Sequence, residues 1–307
     1  MSEQLQSHSV QTTGHAWDGD LQEFNNPLPT WWVYTFYVTV AFAVVYWFLY
    51  PSWPVGKGFL GGLASITYVN KQGETQTSHW NTRALLMEKL NQAAELQKPY
   101  FSKIAASSFE QIGRDQELSG FVQSAGRALF TDNCAGCHQQ GGQGLVGAYP
   151  NLTDDDWLYG GSYEKIHETI SDGRRGYMPT FSEVLGPAQI DALANYVASL
   201  SGIAHDAAKA GEGNQLFHSE TAGCYYCHGD DGKGKQAIGA PNLTDKIWLW
   251  AKVPEADSDT AKVAAIRQVI YSGVSRGVMP VWSERLTPDE IKVLTVYVHD
   301  VLGGGSK

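Results

Sequence analysis

The hydrophobic positions of the 307-residue chain divide it into four stretches. Residues 1–30 are mostly polar, and residues 31–50 form one continuous apolar run. Residues 51–117 follow as a linker, in which Thr82–Gln97 carries Leu and Ala at helical spacing and predicts a short helix. Residues 118–305 show helix-like patterns broken by loops rich in Gly and Pro. The pattern as a whole predicts a mainly α-helical protein.

The apolar run is predicted to be a transmembrane helix. It reads WWVYTFYVTVAFAVVYWFLY from Trp31 to Tyr50, without a charged side chain. A helix of this length spans about 30 Å, which is the thickness of a bilayer's hydrocarbon core. A buried core helix is the alternative, but bulky apolar side chains cover every face and leave none for water. Because a mostly polar segment precedes the run, an uncleaved anchor is favoured over a signal peptide.

The part of the chain beyond the linker is an internal repeat. Four segments recur in the same order: GRALFTDNCAGCH (126–138) with GNQLFHSETAGCYYCH (213–228), YPNLTDDDW (149–157) with APNLTDKIW (240–248), ISDGRRGYMPTF (170–181) with IYSGVSRGVMPVW (270–282), and LANYVASLSG (193–202) with LTVYVHDVLG (294–303). Repetition on this scale predicts two like-folded domains, residues 118–202 and 203–305. Gly126 and Gly213 are expected to let the last helix of a copy, which carries a Tyr, approach the first helix closely.

Each copy contains one Cys-x-x-Cys-His motif. The motifs comprise Cys134, Cys137 and His138, and Cys224, Cys227 and His228. A zinc site would need two further ligands in each copy besides the adjacent histidine. A thioredoxin-type redox pair would need alternating strands and helices and no histidine directly after the cysteines. Two thioether bonds need thiols about one helical turn apart, with the next histidine under the iron, so the motifs predict two covalently bound haem c groups.

A methionine in each copy is predicted to complete the coordination of the haem iron. Met178 in GYMP and Met279 in GVMP occupy equivalent places before a proline in a Gly-rich loop. A thioether ligand raises the reduction potential relative to a second imidazole. The predicted axial ligands are therefore His138, Met178, His228 and Met279. The sequence leaves open whether each methionine binds the haem of its own copy or that of the other copy.

Prolines and arginines near these ligands are candidates for supporting roles. Pro150 and Pro241 follow the histidines in PNL segments, and their carbonyl groups are expected to accept a hydrogen bond from the histidine Nδ1–H. Arg174, Arg175 and Arg276 precede the methionines and are candidate partners for the haem propionates, with exposure to solvent as the alternative.

Coordination and charge limit what the chain can do. A haem with a histidine on one face and a methionine on the other has no open position for a substrate. The chain is therefore predicted to transfer single electrons and to carry no catalytic residue. The formal net charge of −10 argues against a nucleic-acid partner, because a duplex would repel this field. An acidic surface is compatible with a basic protein partner, but solubility alone is the favoured explanation.

Two signals for membrane orientation disagree. Residues 1–30 contain no Lys or Arg, and Lys57 follows the apolar run, which weakly predicts an N-terminus outside the cytoplasm. Covalent haem attachment in bacteria takes place outside the cytoplasmic membrane, which the c-type motif implies. The motif is the stronger constraint, and it predicts residues 51–307 in the periplasm and residues 1–30 in the cytoplasm.

The segment HAWDGDLQEFNNPLPTWW at His15–Trp32 carries the most specific resemblance. Followed by one anchor and two Cys-x-x-Cys-His copies, it resembles the dihaem subunit III of cbb3-type cytochrome c oxidases. The resemblance implies two tandem class I cytochrome c domains in the bacterial inner membrane. It implies electron transport in a respiratory chain, from a periplasmic cytochrome c through a monohaem subunit to the haem–copper catalytic subunit. That subunit would reduce oxygen to water and pump protons for oxidative phosphorylation.

Two other functions remain open at this point. A dihaem cytochrome c peroxidase would need one haem with a vacant or displaceable ligand, and the matched methionines argue against it. A free-standing membrane-anchored electron carrier, or a dehydrogenase cytochrome subunit, would have the same motifs. Some relatives in the resembled family have an additional N-terminal membrane helix, whereas this chain begins with the polar MSEQLQSHSV.

Overall fold

A computed structural model describes residues 11–70, 72–275 and 277–303. The chain forms two compact units, Met1–Gln97 and Lys98–Lys307. The first ten residues of the predicted cytoplasmic tail lie outside the described residues, as does Arg276.

The first unit contains a β-hairpin and the apolar helix. Strand β1 (Thr12–Trp17) pairs antiparallel with β2 (Leu21–Phe24), and helix α1 covers Thr30–Leu49. Among the described residues, α1 is the one helix long and apolar enough to cross a membrane, and it agrees with the predicted span to within one residue at each end. Pro29 lies directly before the helix, where its fixed φ and missing N–H are tolerated.

Hairpins follow the apolar helix and close its C-terminal end. The strands are β3 (Pro54–Val55) with β4 (Gly58–Phe59), and β5 (Ser65–Val69) with β6 (Thr75–His79). The N–H groups of Leu63 and Ala64 donate to the carbonyl oxygens of Phe48 and Leu49, at 3.1 and 2.8 Å. These two bonds satisfy carbonyl groups that a helix leaves free at its C-terminus.

Helix α2 (Thr82–Ala106) is longer than the sequence pattern predicts. The predicted helix ends at Gln97, and Pro99, a residue type that usually ends or kinks a helix, follows two residues later. The helix instead continues through Pro99 to Ala106, and Ile104 in this extension is fully buried. Burial of Ile104, with Tyr100 and Phe101 packed against the same core, offsets the local cost of the proline.

The regular secondary structure of the second unit is almost entirely helical. Its α-helices are α3 (Phe109–Arg114), α4 (Gln116–Phe121), α5 (Arg127–Asn133), α6 (Ala135–His138), α7 (Tyr163–Asp172), α8 (Pro187–Leu200), α9 (Ala207–Phe217), α10 (Cys224–His228), α11 (Asp259–Ser272) and α12 (Pro288–Val296). Val122–Gly126 and Tyr297–Val301 are π-helical turns, and β7 (Arg174–Arg175) pairs antiparallel with β8 (Val278–Met279).

One buried core combines the start of the first copy with the end of the second. Ile112 of α3, Phe130 of α5 and Ile166 of α7 belong to the first sequence copy or to the segment before it. Leu294 of α12 and Tyr297 belong to the second copy and lie in the same cluster. We call this cluster the first core, because the first Cys-x-x-Cys-His motif follows α5.

The second core has the complementary composition. Leu193 and Val197 of α8, the last helix of the first copy, pack with Phe217 of α9 and with Ile266 and Ile270 of α11. The last helices of the two copies are therefore exchanged between the two cores. The ranges 118–202 and 203–305 stay predictions of where the sequence copies lie, and each core draws on both copies.

The close approach at Gly126 and Gly213 follows the same exchange. A Cβ atom built on Gly126 would lie 2.8 Å from the Cβ of Tyr297, and one on Gly213 would lie 2.8 Å from the Cβ of Tyr196. A bare backbone is needed at both positions, because real Cβ atoms essentially never approach so closely. Each glycine thus faces the last helix of the other copy.

Candidate haem-binding site

The two Cys-x-x-Cys-His motifs lie on single helical turns. In the first motif, the N–H of His138 donates to the carbonyl oxygen of Cys134 at 2.9 Å, which places both thiols and the imidazole along one turn. No disulfide joins any of the four cysteines, which leaves all four available for thioether bonds. In the thiol form, burial raises the pKa of Cys134 to about 12 and that of Cys224 to about 11.

Both histidines are oriented by a proline carbonyl. His138 Nδ1 lies 3.0 Å from the carbonyl oxygen of Pro150, and His228 Nδ1 lies 3.0 Å from that of Pro241. A carbonyl can only accept, so Nδ1 carries the proton and Nε2 keeps its lone pair. Burial lowers the pKa of both imidazoles, and the carbonyl hydrogen bond opposes this shift only in part. Each histidine is thereby held in the neutral form that can ligate iron.

The two methionine loops pair with each other through their backbones. Arg174 and Met279 are paired residues of the β7–β8 ladder. Met178 forms the equivalent bridge with Val274, in which each N–H donates to the other carbonyl oxygen at 2.8 Å. Because Arg174 and Val274 occupy matching places in the repeat, the two pairings are related by the repeat itself.

Each methionine packs with the core that holds the other copy's cysteine motif. Met279 contacts the first core, against which Cys134 also packs. Met178 contacts the second core, together with Cys224. Both methionines are half-buried.

One cavity of about 430 Å³ joins these groups. Its lining includes both motifs and both methionines: Cys134, Cys137, His138, Met178, Cys224, Cys227, His228 and Met279. Apolar side chains such as Leu193, Phe217 and Trp248 form much of the remaining wall. Covalently bound haem needs thiols for thioether bonds, imidazoles with a free Nε2 and thioether sulfurs, within an apolar enclosure. The cavity brings these groups together, so the site fits haem c.

The predicted arginines have different surroundings. Arg174 lines the cavity, donates to Glu168 at 2.8 Å, and places its guanidinium 4.8 Å from the ring centre of Tyr159. Arg175 is exposed, and Arg276 lies outside the described residues. The positive charge of Arg174 is therefore partly neutralised by Glu168, and the propionate roles of all three arginines stay predictions.

An acidic groove beside the site has no counterpart in the sequence-based expectations. Its volume is about 790 Å³, and its lining includes Asp155, Asp156, Lys233, Lys235 and Asp245. Burial, with repulsion from Asp245 and Asp154, raises the pKa of Asp156 to about 6. Within the described part of the chain, no group of three or more His, Cys, Asp or Glu side chains could hold a metal ion. The run of aspartates in TDDDW was the available sequence signal for this groove.

Comparison with known protein families agrees with this geometry. Residues 9–57 match the family described as the N-terminal domain of cytochrome oxidase-cbb3, FixP. Residues 122–197 and 208–298 match the family described as cytochrome c oxidase, cbb3-type, subunit III, which covers more than half of the chain. The chain belongs to the cbb3-type cytochrome c oxidase subunit III family.

Named relatives support membership of the subunit III family over nearly the whole chain. A cbb3-type cytochrome c oxidase subunit FixP of Azorhizobium caulinodans is 41% identical over 303 residues, covering 96% of this chain and 93% of the relative. Subunit FixP of Bradyrhizobium diazoefficiens is 41% identical, with 96% and 95% covered. Subunit CcoP of Cereibacter sphaeroides is 40% identical, also with 96% and 95% covered. The predicted family and the predicted fold class, an N-terminal apolar helix with tandem cytochrome c domains, are confirmed.

Proposed function

We propose that this subunit III conducts electrons within a membrane-bound cbb3-type oxidase. It accepts them from a periplasmic cytochrome c and passes them through a monohaem cytochrome c subunit to the haem–copper catalytic subunit. The observation that carries this proposal is the cavity that joins both Cys-x-x-Cys-His motifs and both methionines. When bound there, two haem c groups would supply one-electron redox chemistry, and a histidine and a methionine would hold each of them.

The ligand pairs we propose are crossed between the sequence copies. His138 with Met279 would hold the haem attached at Cys134 and Cys137, and His228 with Met178 would hold the haem attached at Cys224 and Cys227. This assignment is supported by the packing of Met279 on the first core and of Met178 on the second. The carbonyl oxygens of Pro150 and Pro241 keep the two imidazole rings in the orientation and tautomer that the iron requires.

We further propose that α1 anchors the subunit in the bacterial inner membrane with the haem domains in the periplasm. Helix α1 is long and apolar enough to cross the bilayer. The haem motifs follow it in the chain, and covalent haem attachment outside the cytoplasm requires that side of the membrane. Residues 1–30 then lie on the cytoplasmic side.

Purification of the native assembly in mild detergent tests the electron-transfer role. We expect two haem c groups per chain by pyridine-haemochrome analysis, with haem b and copper in the same complex. A chain that purifies alone with haem c would be a free-standing carrier, and peroxide turnover by that chain would identify a peroxidase. Either result would contradict the oxidase assignment.

Variants that keep a single haem test the crossed ligands. With Cys134→Ala and Cys137→Ala, only the second haem remains, and Met178→Ala should then abolish the methionine-to-iron(III) charge-transfer band. Met279→Ala in the same background should leave that band intact. The reverse result would assign each methionine to the haem of its own copy.

A further inference from the structure

A glycine at the end of one helix in each copy lies against the other copy's methionine. Gly173 directly follows α7 and has a φ of 68°, and Gly273 directly follows α11 and has a φ of 64°. Glycine is favoured at such helix ends because a side chain is strained at positive φ. Helix termination alone would account for a glycine here, but it does not account for what each glycine touches.

The contacts of these glycines are with backbone atoms of the methionine loops. A Cβ atom on Gly173 would lie 2.4 Å from the carbonyl oxygen of Met279 and 2.8 Å from the carbonyl carbon of Pro280. A Cβ atom on Gly273 would lie 2.5 Å from the carbonyl oxygen of Met178 and 2.7 Å from the carbonyl carbon of Pro179. Backbone atoms cannot rotate away as a flexible side chain can, so a Cβ at either glycine would have to displace the loop.

The residue after each glycine then pairs with the same methionine. Arg174 pairs with Met279, and Val274 pairs with Met178. Each methionine loop therefore lies against the end of a helix, against the glycine that follows this helix, and is paired with the next residue. The arrangement occurs twice with the same geometry. We propose that Gly173 and Gly273 are positioning residues, each of which seats the methionine of the other copy at the distance from the haem iron that ligation requires.

This inference rests on the crossed ligand pairs proposed above. To restore a separation of 3.0 Å, which real Cβ atoms seldom pass, the carbonyl oxygen of Met279 would have to retreat by about 0.6 Å from a Cβ at Gly173. A shift of this size carries the methionine sulfur away from the iron, and a coordination bond depends steeply on its length. The haem of Cys134 and Cys137 should then lose its methionine ligand, while the other haem keeps its own.

Spectroscopy of Gly173→Ala and Gly273→Ala in the full-length chain with both haems tests the inference. Each variant should lose about half of the methionine-to-iron(III) charge-transfer band, because one of two haems loses its ligand. The affected haem should also bind carbon monoxide and show a lower reduction potential. In single-haem backgrounds, Gly173→Ala should act on the haem of Cys134 and Cys137, and Gly273→Ala on that of Cys224 and Cys227.

Gly202→Ala is the matched control for backbone strain. Gly202 has a φ of 74°, and a Cβ atom there would meet nothing within 4 Å. This variant should therefore keep the full charge-transfer band. Gly173→Asn is a second test variant, because asparagine tolerates positive φ better than alanine but still adds the Cβ. The haem-to-chain ratio, expected to stay at two, verifies that each variant folds and is loaded.

The results distinguish a failure of the positioning role from a failure of the crossed ligation on which it rests. If Met279→Ala abolishes the band of the first haem while Gly173→Ala and Gly173→Asn behave like Gly202→Ala, the ligand assignment stands and the positioning role is overturned. If Met279→Ala leaves the first haem unchanged, the crossed ligation itself fails. If Gly173→Ala disturbs only the second haem, both are wrong.

Discussion

The two methionine loops share one backbone arrangement and differ in charge. Met279 pairs with Arg174, whose guanidinium contacts Glu168 and Tyr159, whereas Met178 pairs with Val274, which is buried and apolar. The ladder therefore gives both methionines, the proposed iron ligands, a similar backbone geometry. The side chain at one position of that ladder gives the two methionines different electrostatic surroundings, so the two proposed haems need not have equal potentials.

The two cores also share one arrangement, and they differ in which parts of the chain supply it. Leu294 and Leu193 occupy matching places in the repeat, and each is 1% exposed. Leu294 lies in the first core and Leu193 in the second, each packed with the leading helices of the opposite copy. The last helix of each copy therefore packs with the other copy rather than with its own. Matched substitutions of the two leucines can test this exchange.

The largest effect is expected from Leu294→Ala compared with Leu193→Ala. Each should lower the free energy of unfolding by about 2–5 kcal/mol, because a buried leucine is replaced by a cavity. Hydrogen exchange should rise most around Phe130 for Leu294→Ala and around Phe217 for Leu193→Ala. Increased exchange around Phe217 in the Leu294→Ala variant would contradict the exchange of helices between the cores.

A smaller loss is expected when the close helix contacts are opened. Gly126→Ala and Gly213→Ala should each destabilise the protein by about 1–3 kcal/mol, because the new methyl group overlaps the facing helix. Gly211→Ala is the control, since it lies in the same helix as Gly213 and a Cβ there meets nothing within 4 Å. The control should be neutral or stabilising by up to about 1 kcal/mol, as alanine favours helix. Thermal unfolding of the three variants measures the difference.

Removing the charge on one loop should make the electrostatic surroundings of the two proposed haem sites more alike. Arg174→Gln is expected to lower the reduction potential of the haem that Met279 is proposed to ligate, because a positive charge stabilises the added electron. The fall should be on the order of a few tens of millivolts, since Glu168 already neutralises part of the charge. Arg175→Gln is the control, as Arg175 is exposed. Equal shifts of both haems in a redox titration of Arg174→Gln would show that the ladder carries no local charge effect.

The smallest effect concerns Asp156, which matches Ile247 in the second copy. The pKa of Asp156 is raised to about 6 by burial and by repulsion from Asp245 and Asp154. The folded protein thus binds this proton more tightly than the unfolded chain, and stability is lost as the pH rises from about 4 to 6. Asp156→Asn should be more stable than the wild type at pH 7, by no more than about 1 kcal/mol after solvent screening. This advantage should vanish below about pH 4, and a constant difference across that range would contradict the raised pKa.

Local patterns in the sequence were sufficient to find the apolar helix and the residues that line the candidate site. Helix α1 was predictable because an apolar stretch of this length has few other stable environments. The cysteine–histidine motifs were recognisable because their spacing is itself the chemical requirement. The hairpin of β5 and β6 was not predicted, since strand β6 reads TQTSH and carries no apolar alternation.

The exchange of the last helices was not predictable for a different reason. LANYVASLSG and LTVYVHDVLG have nearly the same apolar pattern, so either helix satisfies either core as far as the sequence shows. The two arrangements differ in the path of the chain between the helices, and a local sequence pattern does not determine this path. Both methionines are therefore recognisable from the sequence as candidate ligands, whereas their assignment to one haem or the other is not.

The exchange of helices also has a consequence for how the protein is made. The second core is assembled from residues 185–270, whereas the first draws on residues from 104 to 298. A chain leaving the ribosome from its N-terminus has all of the second core available before α12 has been synthesised. The core beside the first Cys-x-x-Cys-His motif therefore cannot be completed until the last helix has been synthesised. The core beside the second motif can form earlier.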